Sequence, residues 1–306
     1  MEFVVTGVPS YLLAIAATAA IYAILAIGLN VIWGFGGMIN LGMVGFFAVG
    51  AYVSALLTVD FGWPIWAGMI AGSIAAGLIS LPLTLATLRL RGDYLAIVTL
   101  GFAELVRLVA NNEIWLTRGA DGVSNVPGPW RAELAAGMYN LVFCLVAVAC
   151  LALVYVVAER VRASAYGRSL RAIREDEDVA AVAGKPVVFF KLEAFTLGAT
   201  ILGFAGALFV HFTSYISPDN VRPLLTIYIF LALTLGGTAN NKGAILGAFV
   251  VMAILEGTRF MAQDIGGLSI VQKAALREML IGLLLIVVMR LRPQGLIPEP
   301  LPRHKP

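Results

Sequence analysis

Apolar runs of about twenty residues, separated by short polar or glycine-rich breaks, recur along almost the whole chain. A helix needs about 20 such residues to cross a hydrocarbon core about 30 Å thick. Full-length spans are predicted at 10–33, 39–59, 65–88, 93–110, 139–158, 192–214, 244–262 and 274–291, with a short span at 224–235. The pattern predicts an all-α, polytopic membrane protein with about nine transmembrane helices (eight to ten), some of them broken or re-entrant, in one domain covering 1–306.

Composition agrees with this pattern. Hydrophobic residues make up 60% of the chain and charged residues only 13%, whereas soluble domains carry roughly 25% charged residues. Only helices and closed barrels satisfy every backbone polar group in lipid, and the long apolar runs favour helices. The net charge of +3 fits loops anchored at an anionic lipid surface better than binding of nucleic acid. Cys144 and Cys150 fall on different faces of one predicted helix, so neither a disulfide nor a metal pair is expected.

The densest charge lies at 159–191, which holds seven of the 21 Lys and Arg residues and five of the 18 acids. The positive-inside rule places this segment, the pair Arg89 and Arg91, and the tail with Arg303 and Lys305 in the cytoplasm. Counting crossings from there predicts an N-terminus outside and a cytoplasmic C-terminus.

A short two-sided helix is predicted inside this charged segment. Ser169 is expected to cap it, and Gly184 followed by Pro186 is expected to end it. Its predicted exposed side carries Arg171, Arg174, Glu175 and Asp178, and its predicted apolar side carries Leu170, Ile173, Ala180 and Ala181. The segment is interpreted either as a docking helix for another subunit or as a solvated loop that only orients the protein.

Motifs for nucleotide and for common catalytic chemistry are missing from the sequence. No G-x-x-x-x-G-K-[ST] and no H-E-x-x-H occurs, so no phosphate-binding loop is predicted and energy must come from another chain. We expect no enzymatic activity, no catalytic or metal-binding residue and no cofactor on this chain. His211 is expected to have an interfacial, structural position.

Polar residues at membrane depth are the candidates for a substrate pathway, because they are costly when they face lipid. The pathway set is Asn30, Gly36, Gly37, Asn40, Glu104 and Asn240. Alternatives remain open, since Glu104 can form a structural pair with Arg107 and the asparagines can bond neighbouring helices. The glycine clusters at 34–37 and 236–237 resemble the broken helices of repeat-built transporters, although their spacings differ and plain helix crossing explains them equally well.

Three blocks of sequence carry a family resemblance. They are GLNVIWGFGGMINLGMVGFFAVGAY, then LRLRGDYLAIVTLGFAELVR with the later ADGVSNVPG, and YGRSLRAIREDEDVAAVAGKPVVFFKLEAFTLGATILGFAGAL. Together with the ending MRLRPQGL, they resemble the M-type (LivM) permease subunits of branched-chain amino-acid ABC importers. The resemblance covers nearly the whole chain.

The resemblance implies four kinds of partner: a related LivH-like permease, two ATPase subunits that bind the ATP, a periplasmic substrate-binding protein, and the lipid of a bacterial inner membrane. It also implies a helix at 169–184 that couples the permease to the ATPase. The implied coupling residues are Ser169, Arg171, Arg174, Glu175, Asp176, Glu177, Ala180, Ala181 and Gly184. The common importer pattern EAA-x-x-x-G is altered here, because its acids are shifted upstream.

The function predicted from these features is translocation of a small amino-acid-like solute, with branched-chain amino acids as the implied substrate. Urea, short amides and aromatic acids are the alternative substrates within the same family. An ion-coupled secondary transporter is the alternative of a different class, with Glu104 and Glu256 as its deep acids. A passive channel is a third, and it leaves the docking helix unexplained.

Overall fold

The structure, a computed structural model, describes residues 7–87, 90, 92–264, 269–292 and 294–299. Twelve α-helices occur in these residues, and a π-helical turn (Asn30–Phe35) directly continues the first of them. In chain order they are α1 (Val8–Leu29), α2 (Met43–Val59), α3 (Ile65–Thr87), α4 (Asp93–Asn112), α5 (Ile114–Thr117), α6 (Ala136–Ala163), α7 (Ala165–Glu175), α8 (Glu177–Val182), α9 (Val187–Thr213), α10 (Pro223–Gly236), α11 (Asn241–Asp264) and α12 (Ile270–Leu291). The described strands are β1 (Val123–Ser124) and β2 (Tyr215–Ile216), which pair antiparallel.

Five stretches in the described residues are long and apolar enough to cross a membrane. They are Val8–Phe35, Ile65–Thr87, Gly137–Ala163, Val187–Thr213 and Asn241–Thr258. Met43–Val59 and Pro223–Gly236 are apolar but shorter. The prediction of an all-α polytopic membrane protein is confirmed, and the number of nine spans stays a prediction.

The short span predicted at 224–235 is a short helix in the structure. Helix α10 has 14 residues, which gives about 21 Å at 1.5 Å per residue. It starts at Pro223, where a missing N–H costs nothing, and ends before Gly237, whose φ of +118° favours glycine.

Helices α1 and α9 form the centre of the bundle. Helix α1 packs on α6, α9, α10 and α11, while α9 also packs on α2 and α3. Every residue of α1 from Ala23 to Leu29 is buried. Helices α3, α4 and α6 lie outside this core and expose large apolar side chains such as Ile74, Tyr94 and Leu153, as expected for surfaces that meet lipid or another membrane subunit.

Glycines allow the central helices to approach closely. A Cβ at Gly206 of α9 would lie 2.0 Å from the Phe47 carbonyl oxygen of α2, and one at Gly50 of α2 would lie 2.0 Å from the Gly203 carbonyl oxygen of α9. Backbone contact of this kind is how small residues hold membrane helices together.

The bundle has two distinguishable ends. The α7–α8 end is where α7 and α8 lie, and the opposite end holds the β1–β2 pair. At the opposite end, Arg118 pairs with Asp60 at 2.7 Å. His211 is buried there, with Nδ1 2.7 Å from the Pro127 carbonyl oxygen and Nε2 2.9 Å from the Ser54 hydroxyl, so it is a structural link between α9, α2 and the loop before α6.

Some residues used to predict orientation lie outside the described residues. These are Arg89, Arg91, Arg303 and Lys305. The N-terminus outside and the C-terminus in the cytoplasm therefore stay predictions.

The α2–α9 contact makes a stability prediction. Gly206→Ala should destabilise the protein by about 1–3 kcal/mol, because a methyl group cannot fit against the Phe47 carbonyl. The matched control is Gly101→Ala in α4, where a Cβ meets nothing within 4 Å. Thermal unfolding in detergent should show a lower midpoint for Gly206→Ala alone, and equal midpoints for the two variants would contradict the close approach.

Candidate functional site

The charged segment forms two short helices where the sequence predicted one. The Ser164 hydroxyl caps α7 by accepting from the Gly167 N–H at 3.2 Å. Asp176 interrupts the helix and caps α8, with its Oδ1 accepting from the N–H groups of Asp178 and Val179 at 3.0 and 2.9 Å. The prediction that Ser169 is the cap is wrong, since Ser169 is buried inside α7. The Asp176 cap stabilises α8 because its carboxylate accepts from N–H groups that have no carbonyl partner within the helix.

The predicted apolar side is only partly correct. Leu170, Ile173 and Ala180 are buried as predicted, but Ala181 is exposed. The segment ends where predicted, because Gly184 has a φ of +77° and bonds back to the Ala181 carbonyl.

Apolar side chains on α8 and at the start of α9 remain uncovered. Their exposed fractions are 64% for Val179, 91% for Val182 and 55% for Phe189. Glu175, Asp176 and Asp178 are exposed close by in sequence. We call Val179, Ala181 and Val182 the α8 patch, an apolar surface with acidic neighbours.

Arg174 was predicted on the exposed side, and that prediction is wrong. Its side chain is half-buried and donates one hydrogen bond to the Gly34 carbonyl and another, at 2.8 Å, to Glu299 Oε2. Arg171 bonds within its own segment, to the carbonyls of Arg162 and Gly167. Glu177 pairs with Lys191 at 2.6 Å, which joins α8 to α9.

Two glycine-containing loops lie at the same end of the bundle. Loop A (residues 36–42) joins the π-helical turn to α2, and loop B (residues 237–240) joins α10 to α11. The motif Gly-Gly-x-x-Asn occurs at both loops, as GGMIN at 36–40 and as GGTAN at 236–240. The second copy begins at Gly236, the last residue of α10. The two halves of the chain align poorly as a whole. This five-residue match was the signal in the sequence that could have related the two loops.

The two loops use the motif in the same way. Gly37 has a φ of +69° and Gly237 a φ of +118°. Asn40 Oδ1 accepts from the Gly42 N–H at 2.8 Å, and Asn240 Oδ1 accepts from the Lys242 N–H at 3.0 Å. In each loop a glycine reverses the chain and an asparagine side chain bonds the N–H group two residues on. Asn240 thereby caps α11, whereas α2 begins three residues after Asn40, at Met43.

Asn30 joins the two loop regions. Its Nδ2 donates to Asn241 Oδ1 at 3.0 Å, and its Oδ1 accepts from the Ala239 N–H at 2.8 Å. Asn241 in turn donates to Glu159 Oε2 at 3.1 Å, and Glu159 also binds Arg162. A Cβ at Gly34 would lie 2.0 Å from Asn30 Oδ1, so glycine is required there for the bridge to form.

The residues at 294–299 complete this end. The N–H groups of Leu296 and Ile297 donate to the carbonyls of Leu235 and Gly236 at 2.8 and 2.9 Å. Asn240 Nδ2 donates to the Pro298 carbonyl at 3.0 Å. Asn40 lacks such a carbonyl, and among the described residues its Nδ2 has no hydrogen-bond partner.

A cleft of about 190 Å³ separates loop A from α7 and α8. Gly36, Gly37, Arg174, Glu177 and Lys191 are among its lining residues. Five of the six predicted pathway residues, all except Glu104, therefore gather at the α7–α8 end with Arg174. Sequence reasoning missed Glu159 and Glu299, because no local pattern distinguishes them from other charges in the segment and tail.

Glu104 lies apart from this cluster on α4. It pairs with Arg107, whose Nε is 2.9 Å from Glu104 Oε2. The two side chains are 39% and 27% exposed, and they share a face of the helix with the exposed Ile97, Leu105 and Leu108. The structural alternative expected an internal pair, but the Glu104–Arg107 pair lies on the surface of this subunit, and a place for Glu104 in the pathway stays a prediction.

Within the described ranges, no group of three or more metal-ligating side chains occurs. Cys144 and Cys150 are both free thiols. The described residues at this end interact through hydrogen bonds and ion pairs.

Comparison with known proteins identifies related chains. The family described as branched-chain amino acid transport system / permease component matches residues 11–289. The chain is 33% identical to the high-affinity branched-chain amino acid transport system permease protein LivM of Escherichia coli (strain K12), over 95% of this chain and 71% of that protein. It is 28% identical to the probable branched-chain amino acid transport permease protein LivM of Methanocaldococcus jannaschii, over 91% of each chain. It is 24% identical to the permease protein LivH of the same Escherichia coli transport system, over 91% of this chain and 92% of that protein.

The Asn30 bridge makes the second prediction. Asn30→Ala should destabilise the protein by about 1–3 kcal/mol, because the buried Ala239 N–H and the Asn241 amide lose their partner. Asn112→Ala is the control, since Asn112 is exposed and bonds only to Leu108 of its own helix. Thermal unfolding in detergent checks this, and an Asn30 variant as stable as the control variant would refute the bridge.

Proposed function

Because the chain belongs to the permease family of branched-chain amino acid transport systems, we propose that it is the membrane subunit through which an ATP-driven importer moves branched-chain amino acids. Its relatives carry that role in their names, two as LivM and one as LivH. The polytopic helical fold and the missing phosphate-binding motif agree with a transport subunit that has no ATPase site of its own.

The observation that carries this function is the α8 patch beside Arg174. The patch exposes apolar side chains on a capped helix outside the bundle. Exposed apolar side chains rimmed by charge are typical of protein interaction sites. Two ATPase subunits are the proposed partners for the importer, with one docking on this patch, so that the segment 159–191 works as the coupling loop at the cytoplasmic face.

A related permease is the proposed second membrane subunit. Helix α4 exposes an apolar stripe interrupted by the Glu104–Arg107 pair. An ion pair that faces lipid near the middle of a spanning helix is costly. Contact with the partner permease, or with a water-filled path between the two subunits, removes that cost and gives Glu104 a position beside the substrate pathway.

The proposed setting is a bacterial inner membrane, with the N-terminus outside and the C-terminus in the cytoplasm. A periplasmic binding protein is proposed to deliver the amino acid at the opposite end. Selection of the solute rests largely with that protein, so the permease needs few fixed charges. Urea and short amides remain the competing substrates, and uptake assays distinguish them directly.

An ion-coupled secondary transporter is the competing mechanism. It requires an acid that gains and loses a proton or binds a cation during transport. Glu104 is bonded to Arg107 through both of its carboxylate oxygens, and Glu256 accepts from the Tyr11 hydroxyl at 2.6 Å. Both acids have structural partners, which favours the ATP-driven mechanism.

The decisive experiment is reconstitution in vesicles. The chain with its partner permease, two ATPase subunits and binding protein should accumulate leucine only with ATP, while the chain alone should accumulate none. Leucine accumulation by the chain alone under a proton or sodium gradient would establish the secondary transporter instead. Uptake of urea with no uptake of leucine would overturn the proposal that branched-chain amino acids are the substrate.

The α8 patch makes the next prediction. Ala181→Glu should weaken binding of the ATPase subunits roughly 10- to 100-fold, because an unpaired charge would be buried in the interface. The chain should still insert and remain folded, since Ala181 is exposed. Co-purification of the ATPase subunits measures the effect.

Ala120→Glu is the matched control, because Ala120 is exposed at the opposite end. Ala180→Glu should instead lower the stability of the isolated chain, since Ala180 is buried against Ile173 and Val187. Normal binding of the ATPase subunits by the Ala181→Glu variant would show that the docking site lies away from α8.

A further inference from the structure

We propose that Arg174 is the residue that transmits movement of α7 to both glycine loops at once, through one bond to each side. This inference rests on the proposed function, because it assigns how docking of an ATPase subunit acts on the membrane helices. We call the Gly34–Arg174–Glu299 connection the latch.

The first arm of the latch reaches loop A. Arg174 donates to the Gly34 carbonyl in the π-helical turn that leads into this loop. A Cβ at Gly37 would lie 2.8 Å from Arg174 Cγ, so the arginine stem packs directly on the loop backbone. Movement of α7 therefore displaces the end of α1.

The second arm reaches loop B through Glu299. The Arg174–Glu299 pair is 2.8 Å long, and its side chains are 24% and 23% exposed. The residues before Glu299 are bonded to loop B and to the end of α10. Ile297 N–H donates to Gly236, and Asn240 donates to Pro298. A Cβ at Gly237 would lie 2.2 Å from the Ile297 carbonyl oxygen. Residues 294–299 therefore pack closely against loop B.

The loops are also joined directly, through Asn30. Its two bonds reach Ala239 and Asn241 from the same turn that Arg174 holds. The end of α1 is thus bonded to loop B on one side and to Arg174 on the other. A push on α7 therefore acts on both loops, because loop A contacts Arg174 directly and loop B is joined to it through Glu299 and the residues before it.

Arginine suits this position better than lysine does. Its planar guanidinium presents several N–H donors in a fixed fork, and it can serve a carbonyl and a carboxylate at once. In the structure Nη1 serves Gly34 and Nη2 serves Glu299. A lysine ammonium at the end of a flexible stem lacks that fixed geometry and holds one arm at a time.

The test measures amide hydrogen exchange of the full chain in lipid nanodiscs, without ATP. Arg174→Gln should accelerate exchange roughly tenfold in both 34–42 and 236–243, the factor expected from losing a charge-assisted hydrogen bond. Glu299→Gln should accelerate exchange in 236–243 alone, because the Arg174 bond to Gly34 remains in that variant. Arg168→Gln is the control on the same helix, because Arg168 is exposed and bonds only to the Ala163 carbonyl.

Acceleration in 34–42 alone would overturn the proposal, since Arg174 would then be a local contact of loop A. Unchanged exchange in both loops would overturn it as well. The double variant Arg174→Gln/Glu299→Gln should match Arg174→Gln, because that change already removes the connection to Glu299. Additive effects would show two independent contacts.

The same variants tested in the reconstituted importer separate this inference from the proposed function. Arg174→Gln and Glu299→Gln should keep the ATPase subunits bound and lower the amount of leucine moved per ATP hydrolysed by roughly fivefold or more. Arg174→Lys should recover part of the loss. If the wild-type importer moves no leucine with ATP, the proposed function fails, while the exchange result still decides whether the latch exists.

Discussion

The requirement that buried polar groups be bonded inside the protein governs the α7–α8 end of this bundle. Asn30 and Asn241 are fully buried, so the Asn30 amide, the backbone of two glycine loops and the ends of α1 and α10 satisfy one another. Asn30 does this with bonds to Ala239 and Asn241. Gly34 makes room for it, since any Cβ there would collide with the Asn30 side chain. This bridge ties the end of α1 to loop B and to the start of α11.

Close backbone packing stabilises one region of the bundle, and hydrogen bonds between polar groups stabilise another. In the α2–α9 contact, glycines at 50, 203 and 206 bring backbones together, and the hydrogen bond between Ser54 and His211 adds a side-chain link near one end. At the α7–α8 end, helices stop early and loops replace them, so the backbone needs partners from side chains and from residues 294–299. The centre is therefore held mainly by close backbone packing, and the α7–α8 end mainly by hydrogen bonds.

The duplicated Gly-Gly-x-x-Asn motif shows how a short signal can be hidden. The flanking glycines differ in spacing, with Gly34 before the first copy and Gly243 after the second, so the halves do not align over any length. The motif works through backbone geometry, in which a glycine with positive φ is followed by an asparagine that accepts from the N–H group two residues on. Only five positions are needed for that turn, and the helices around it are free to diverge.

The sequence by itself determined that the chain is a polytopic helical membrane protein, that it contains no G-x-x-x-x-G-K-[ST] motif, and that 159–191 is its principal charged segment. These conclusions follow from run length, hydropathy, charge and short motifs, which are local properties. It also singled out Asn30, Asn240 and the glycine clusters, whose roles stay predictions. The tertiary structure decided which side chains face inward. Arg174 looked like an exposed charge and is half-buried, Ala181 looked buried and is exposed, and Ser164 caps the helix assigned to Ser169. The position of Arg174 depends on partners that lie more than a hundred residues away, Gly34 and Glu299, and no local pattern contains that information.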